Sequence, residues 1–234
     1  MVVPRISARD RVTSIAAAAT RVFGRLGYRG TRTADVAKEA GISNGALFTY
    51  VESKEALFHL VFAHGFGRFD EVLPPLPLPT PAPGETVELI RQELGKVPAP
   101  KLRAALAEDR PPDVREELFG IVDERYRIIE GLWPLLAVIE RCALDLPELD
   151  AFYFGRARSG FFARLTEYLK MRAEDGYLRA TPNPEVAARL VIESVVWFAW
   201  KRRQGRDART YDDEAARRGV LDFVCAALIP GSET

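Results

Sequence analysis

Sulfur and imidazole are scarce in this 234-residue chain, which holds two cysteines, two methionines and two histidines. Cys142 and Cys225 each lie inside an apolar helical run. A free thiol there behaves as a small hydrophobe, so buried, unpaired cysteines in a reducing compartment are expected. His59 and His64 are five apart, without the i, i+4 spacing and intervening Glu of a zinc-binding helix. The sequence has no phosphate-binding loop, dinucleotide glycine pattern or nucleophile elbow. Glu108-Asp109 and Asp212-Asp213-Glu214 read as solvated or helix-start charges. Without a nucleophile, base and orienting group in one constellation, no enzyme is expected, and neither a cofactor nor a metal. Apolar runs stop short of the eighteen or so residues of a membrane span. The opening MVVPRISARDRV has no apolar h-region followed by a cleavage site. The expectation is a cytoplasmic protein without a membrane partner.

Net charge is absent too, with 33 basic against 33 acidic residues, but its distribution is uneven. Residues 1–58 carry nine basic and five acidic side chains, and the remainder holds the opposite excess. A basic end on an acidic body suits a chain that turns one end towards a polyanion, although such an excess also describes a solvated surface. Arg5, Arg9 and Arg11 read either as an arm that tracks nucleic acid or as a frayed terminus.

Strand-like alternation, repeats and heptads are missing, whereas helical periodicity fills most of the chain. Val12, Ile15, Ala19, Val22, Phe23 and Leu26 follow 3,4 spacing, predicting a helix over 7–27 that Gly27 ends. Further helices are expected at 34–40, 43–49, 54–71, 85–97, 101–108, 112–143, 147–175, 183–204 and 211–229. Thr33, Ser43 and Ser53 are the expected N-caps of the second, third and fourth helices. Pro134 should kink or split the helix that contains it. Residues 74–83 hold six prolines, which cannot continue a helix. That segment reads as an extended, polyproline-II-like spacer, with a proline-rich recognition ligand as the alternative. The class is all-α.

Residues 27–57 read GYRGTRTADVAKEAGISNGALFTYVESKEAL and have the logic of a helix-turn-helix. Val36, Ala37 and Ala40 face inward from a positioning helix, Gly41 permits the sharp turn, and Ile42 plugs the gap. Ser43 then starts a recognition helix short enough for a major groove about 12 Å wide. Ser43, Asn44, Ala46 and Thr49 are the candidates for base edges: Asn44 can pair with adenine, and the Ala46 and Thr49 methyls can meet thymine. Arg32, Thr33, Tyr50 and Lys54 are the candidates for phosphate contacts, which set register and salt dependence. Gly45 allows close backbone approach, Phe48 packs against the groove wall or a sugar, and Leu47 points into the core.

The run resembles the N-terminal signature of the TetR family of bacterial regulators. Gly27, Tyr28, Thr31, Val36, Ala37, Ala40, Gly41, Ile42, Ser43, Gly45, Leu47, Tyr50, Ser53, Lys54, Glu55 and Leu57 carry the resemblance. Arg32, Phe48 and Val51 depart from it, standing where Thr, Tyr and Phe are common. Losing the hydroxyl at Phe48 removes a phosphate hydrogen bond, and Arg32 offers a charged one instead. The resemblance covers about the first quarter of the chain.

It implies a three-helix DNA-binding domain, set at 1–53, followed by a larger helical bundle for regulation and dimerisation at 54–234. On that basis the chain is expected to bind a palindromic double-stranded DNA operator as a homodimer, as a repressor released by a small lipophilic or aromatic effector. The alternative is an architectural or partner-controlled DNA-binding protein without such a ligand. Tyr126, Trp133 and Phe161 are the candidate pocket residues, Trp133 because a proline kink leaves space and free backbone groups. The last two helices carry broad apolar faces, and Val191, Val195, Leu221 and Val224 are the candidates for the dimer interface.

Overall fold

Helices dominate the computed structural model, which describes residues 7–69, 74–97, 99–205 and 211–231. The first, α1 (Ala8–Gly30), buries Val12, Ile15, Ala19, Val22 and Phe23 of the 3,4-spaced set and half-buries Leu26, and Ser7 caps it by accepting the Asp10 amide at 3.0 Å. Its backbone breaks at Gly27, at φ 77° and ψ 177°, and then makes one further turn. Glycine is required at that point, because a Cβ would stand 2.9 Å from the Asp145 carboxylate. Arg9 and Arg11 belong to the first turns of this helix, where Arg9 donates to the Phe69 carbonyl at 2.8 Å; Arg5 lies outside the described residues.

Three short helices follow, α2 (Thr33–Glu39), α3 (Asn44–Leu47) and α4 (Lys54–Gly65). Ser43 and Ser53 cap α3 and α4 as expected, accepting the amides of Ala46 at 3.1 Å and Ala56 at 3.0 Å. The N-cap of α2 is Arg32 rather than Thr33. The Asp35 carboxylate accepts the Arg32 amide at 3.0 Å and fixes the start of the helix one residue earlier. Helix α4 stops at Gly65, short of Glu71, which lies outside the described residues.

The rest comprises α5 (Glu85–Gly95), α6 (Pro100–Ala107), α7 (Val114–Ala143), α8 (Pro147–Phe152), a π-helical stretch at Tyr153–Arg158, α9 (Ser159–Glu174), α10 (Pro184–Ala199), a 3-10 turn at Lys201–Gln204 and α11 (Asp213–Leu228). Pro134 does not split α7. The π-helical stretch divides the single helix expected over 147–175. One isolated parallel bridge joins Val51 to Leu78.

Two compact units emerge, one of Met1–Lys96 with Pro134–Gly155 and one of Val97–Trp133 with Arg156–Thr234. In the first, α1 packs on α2 and α4, and its core of Ile15, Val22, Phe23, Leu47, Leu57 and Phe62 is fully buried. Phe23, Tyr28 and Phe58 meet there as a ring cluster with centroids 5.1–6.0 Å apart. Cys142 is buried in the same unit, and burial pushes its thiol pKa up to about 12.

The second unit packs α9 on α6 and α10, and α10 on α11. Its most unusual core residue is Arg172, fully buried in α9. The guanidinium takes both Glu117 oxygens at 2.9 and 3.0 Å and the carbonyls of Ala105, Glu108 and Asp109 at 3.0–3.1 Å. It thereby satisfies the carbonyls left over at the end of α6. Breaking such a buried pair from one side costs about 3–5 kcal/mol, since the other charge is stranded.

Candidate nucleic-acid interface

Between α2 and α3 the chain turns at Gly41, whose φ of 68° is in the left-handed region. The Ile42 amide donates to Ala37 at 3.0 Å and closes the turn against α2. Regular α geometry in α3 covers only Asn44–Leu47, narrower than the 43–49 expected. The bonds then tighten: Thr49 donates to Ala46 at 3.2 Å, and Tyr50 and Val51 both donate to Leu47, at 2.9 and 3.2 Å.

The two faces of this segment separate cleanly. Leu47 and Val51 are fully buried, which anchors the segment to the first core. Ser43, Asn44, Gly45 and Thr49 are exposed, Phe48 is 41% exposed, and Ala46 is half-buried. The Thr49 hydroxyl donates to the Ala46 carbonyl at 2.7 Å, so it is already engaged within the segment. A Cβ on Gly45 would meet nothing nearer than the Ser43 hydroxyl at 4.0 Å, so its backbone lies open to close approach. These are features of a readable surface: short polar groups and methyls on one side, held by apolar anchors on the other.

Of the candidate phosphate contacts, Arg32 is exposed, while Thr33, Tyr50 and Lys54 are half-buried. Lys54 opens α4, with its ammonium 4.6 Å from the Tyr28 ring centroid. That ring is itself held by a hydrogen bond from its hydroxyl to Glu55 at 3.0 Å. Burial, reinforced by Glu55, raises the Tyr28 pKa. The Glu55 carboxylate lies below the usual range, chiefly because it accepts its own backbone amide at the helix start, with Tyr28, Ser53 and Lys54 adding to the effect. No local sequence signal links Tyr28 to Glu55, which are 27 residues apart and meet only once α1 packs on α4. Part of the N-terminal basic excess is neutralised: Arg21 and Arg25 lie 2.7 and 4.0 Å from Glu39.

The candidate effector residues all fall in the second unit, where Tyr126 and Phe161 are buried and Trp133 is half-buried. The Tyr126 hydroxyl lies beside Arg202, yet no hydrogen bond of ordinary geometry satisfies it among the described residues. The Arg125 guanidinium sits 4.3 Å above the Phe161 ring. A cleft of about 240 Å³ near the end of α9, lined by Leu169, Ala173, Leu178 and Leu228, involves none of the three.

Val191, Val195, Leu221 and Val224, the candidates for a dimer surface, are 0–6% exposed and belong to the core of a single chain. The 3,4 pattern marks a buried face without saying which chain buries it. The large apolar side chains that α10 and α11 leave outside are instead Val186, Leu190, Trp197 and Phe223.

Residues 15–61 match the family described as bacterial regulatory proteins, tetR family. No curated protein matches the sequence. Among solved structures, the ketosteroid transcriptional regulator KstR2 of Mycobacterium tuberculosis aligns with a TM-score of 0.59 at 17% identity, over 99% of this chain and 100% of its own. A transcriptional regulator from Saccharomonospora viridis in complex with choline aligns at 0.53 and 16%, over 96% and 100%. AibR, in complex with isovaleryl coenzyme A and operator DNA, aligns at 0.51 and 18%, over 93% and 99%. At these identities the likeness is one of fold.

Proposed function

We propose, from the premise that residues 15–61 carry the tetR family's N-terminal segment, that this chain is a DNA-binding transcriptional regulator. The observation that carries the reading is the split of the capped α3 segment, with Leu47 and Val51 buried beneath exposed Ser43, Asn44, Gly45 and Thr49. In this reading Ser43, Asn44, Ala46 and Thr49 meet base edges, and Gly45 and Phe48 let the segment lie close to the groove. Arg32, Thr33, Tyr50 and Lys54 hold phosphates, with the Tyr28–Glu55 pair steering Lys54. Residues 1–53 are the DNA-binding head and 54–234 the regulatory body, with α4 at the start of that body packing on α1 and presenting Lys54 to the DNA.

The protein acts as a homodimer on a palindrome, since one short recognition helix supplies modest affinity and two symmetry-related ones read both half-sites. The dimer surface is the outer face of α10 and α11, with Leu190 and Phe223 at its centre. A small effector binds the second unit near Tyr126, Trp133 and Phe161 and releases the DNA, which makes the protein a repressor. Supporting this, two of the similar folds are recorded with small molecules, choline and isovaleryl coenzyme A, the latter together with operator DNA.

Selection of bound duplexes from random DNA tests the head and the dimer together. The expected product is a palindrome with half-sites about one helical turn apart or a multiple of it. Enrichment of a single non-repeated site would count against the dimer, and no enrichment at all against the head. A panel of lipophilic and acyl compounds added to the selected duplex tests the effector; if none weakens binding, the partner-controlled alternative stands instead.

A further inference from the structure

We propose that the alternating-proline segment 75–83 is a positioning strap for the DNA grip, acting through the turn at residues 50–53; the inference rests on the DNA-binding reading above. From Pro75 to Pro83 every odd position is proline, so amide donors occur only at 76, 78, 80 and 82. Past the bend at Leu76 and Pro77, Leu78 and Thr80 stand two apart with prolines at 77, 79 and 81, so their amides share one edge, and only that edge can donate.

The donating edge faces residues 50–53. The Leu78 amide donates to the Tyr50 carbonyl at 2.8 Å, and the Leu78 carbonyl accepts from the Glu52 amide at 3.0 Å. The Thr80 amide donates to the Glu52 carboxylate at 2.9 Å, and the Thr80 hydroxyl lies 2.8 Å from the Ser53 hydroxyl. The Leu78 side chain is 5% exposed and its bridge partner Val51 is fully buried. The proline edge faces away, where it offers no donor to a second strand, so the pairing is directed to one partner only.

What this strap holds is the link between reading and gripping. Residues 50–53 join the end of α3 to Ser53, the cap of α4, with Lys54 next in sequence. Helix α3 is a single turn, far below the length at which a helix stands without tertiary support. Its last bonds, from Tyr50 and Val51 to Leu47, sit directly beside the bridge. A spacer between helices needs none of these contacts. Prolines also narrow the unfolded ensemble towards the extended shape, so the strap docks at less entropic cost. Leu78 and Thr80 are thus positioning residues that act through Tyr50 and the start of α4.

The test uses the full-length protein and the duplex that the wild type selects from random DNA. Affinity is measured across a salt series for Leu78→Ala, Leu78→Met and Thr80→Val, with hydrogen exchange of the Glu52 amide read in parallel. Leu78→Ala and Thr80→Val should weaken binding about tenfold, the scale of one lost charge-assisted contact. They should also lower the salt slope by about one unit as a phosphate contact is lost, which a simple loss of folded protein would not do. Leu78→Met should restore both, and exchange at Glu52 should quicken only in the weakened variants. Thr80 is exposed, so its variant guards against an unfolded Leu78→Ala. Wild-type affinity and slope in a folded Thr80→Val, alongside faster exchange at Glu52, would overturn the strap and leave the DNA-binding reading intact. A wild type that selects no duplex overturns both.

Discussion

In the proposed phosphate grip, Lys54 is the side chain whose presentation the structure describes most fully. Its ammonium is held over Tyr28, whose hydroxyl is tied to Glu55, so the charge is presented at the mouth of α4 rather than swinging freely. Lys54→Ala should weaken binding to all duplexes alike and flatten the salt slope by about one unit, as measured by fluorescence anisotropy at several ionic strengths. A sequence-selective loss would instead make Lys54 a base reader. His59 gives a pH dependence of known sign. It lies 3.0 Å from the Thr86 hydroxyl, and burial lowers its pKa despite the nearby Glu85. The unfolded chain therefore takes up this proton first as pH falls through about 6.5, and stability declines below that point. The melting temperature should drop between about pH 7.5 and about 5.5, and His59→Gln should shrink the drop. Most of the inward and outward assignments in α3 were legible residue by residue, because Leu47 is apolar between short polar neighbours. The Tyr28–Glu55–Lys54 arrangement was not, since nothing local couples a helix-end tyrosine to a carboxylate in another helix.

Helices were legible as elements wherever apolar spacing, a capping side chain and a glycine or proline stop coincided, as at Ser53 and in the Asn183-Pro184 start of α10. The structure differs where two local signals compete. The break at Gly27 is real, but the Thr31 hydroxyl bonds back to the Gly27 carbonyl at 2.7 Å and closes another turn. Gly27→Ala should cost about 1–3 kcal/mol for the positive-φ, extended backbone alone, a region essentially reserved for glycine. The approach to Asp145 adds to that, and Asp145 also accepts the Arg29 amide at 2.9 Å. Chemical denaturation should therefore show a lower midpoint for Gly27→Ala with an unchanged slope. In the segment 74–83 the proline content pointed to an extended chain, but its strand-like period of two was hidden, because prolines replaced the polar residues that usually mark alternation.

At the scale of the whole molecule, the proposed dimer turns on which apolar residues remain outside after the single chain has folded. Leu190 and Phe223 are 65% and 67% exposed, whereas Val195 and Leu221 are fully buried. Leu190→Asp with Phe223→Asp should shift sedimentation from dimer to monomer while the fold survives. Val195→Ala should instead lower stability without changing the stoichiometry, because its contacts lie within one chain. Sedimentation of the double variant as a dimer would remove α10 and α11 from the interface.

The sequence by itself determined that the chain is helical, where most helices begin and end, and that residues 27–57 carry a helix-turn-helix, because caps, turn glycines and 3,4 spacing are local physics. Tertiary structure decided the rest. It sorted the apolar faces of α10 and α11 into core and surface, since an apolar stripe does not say what covers it. It also brought Tyr28 to Lys54, and laid the proline segment along residues 50–53. Each of these depends on backbone or side-chain groups distant in sequence whose partners are chosen only when the packed core sets their positions.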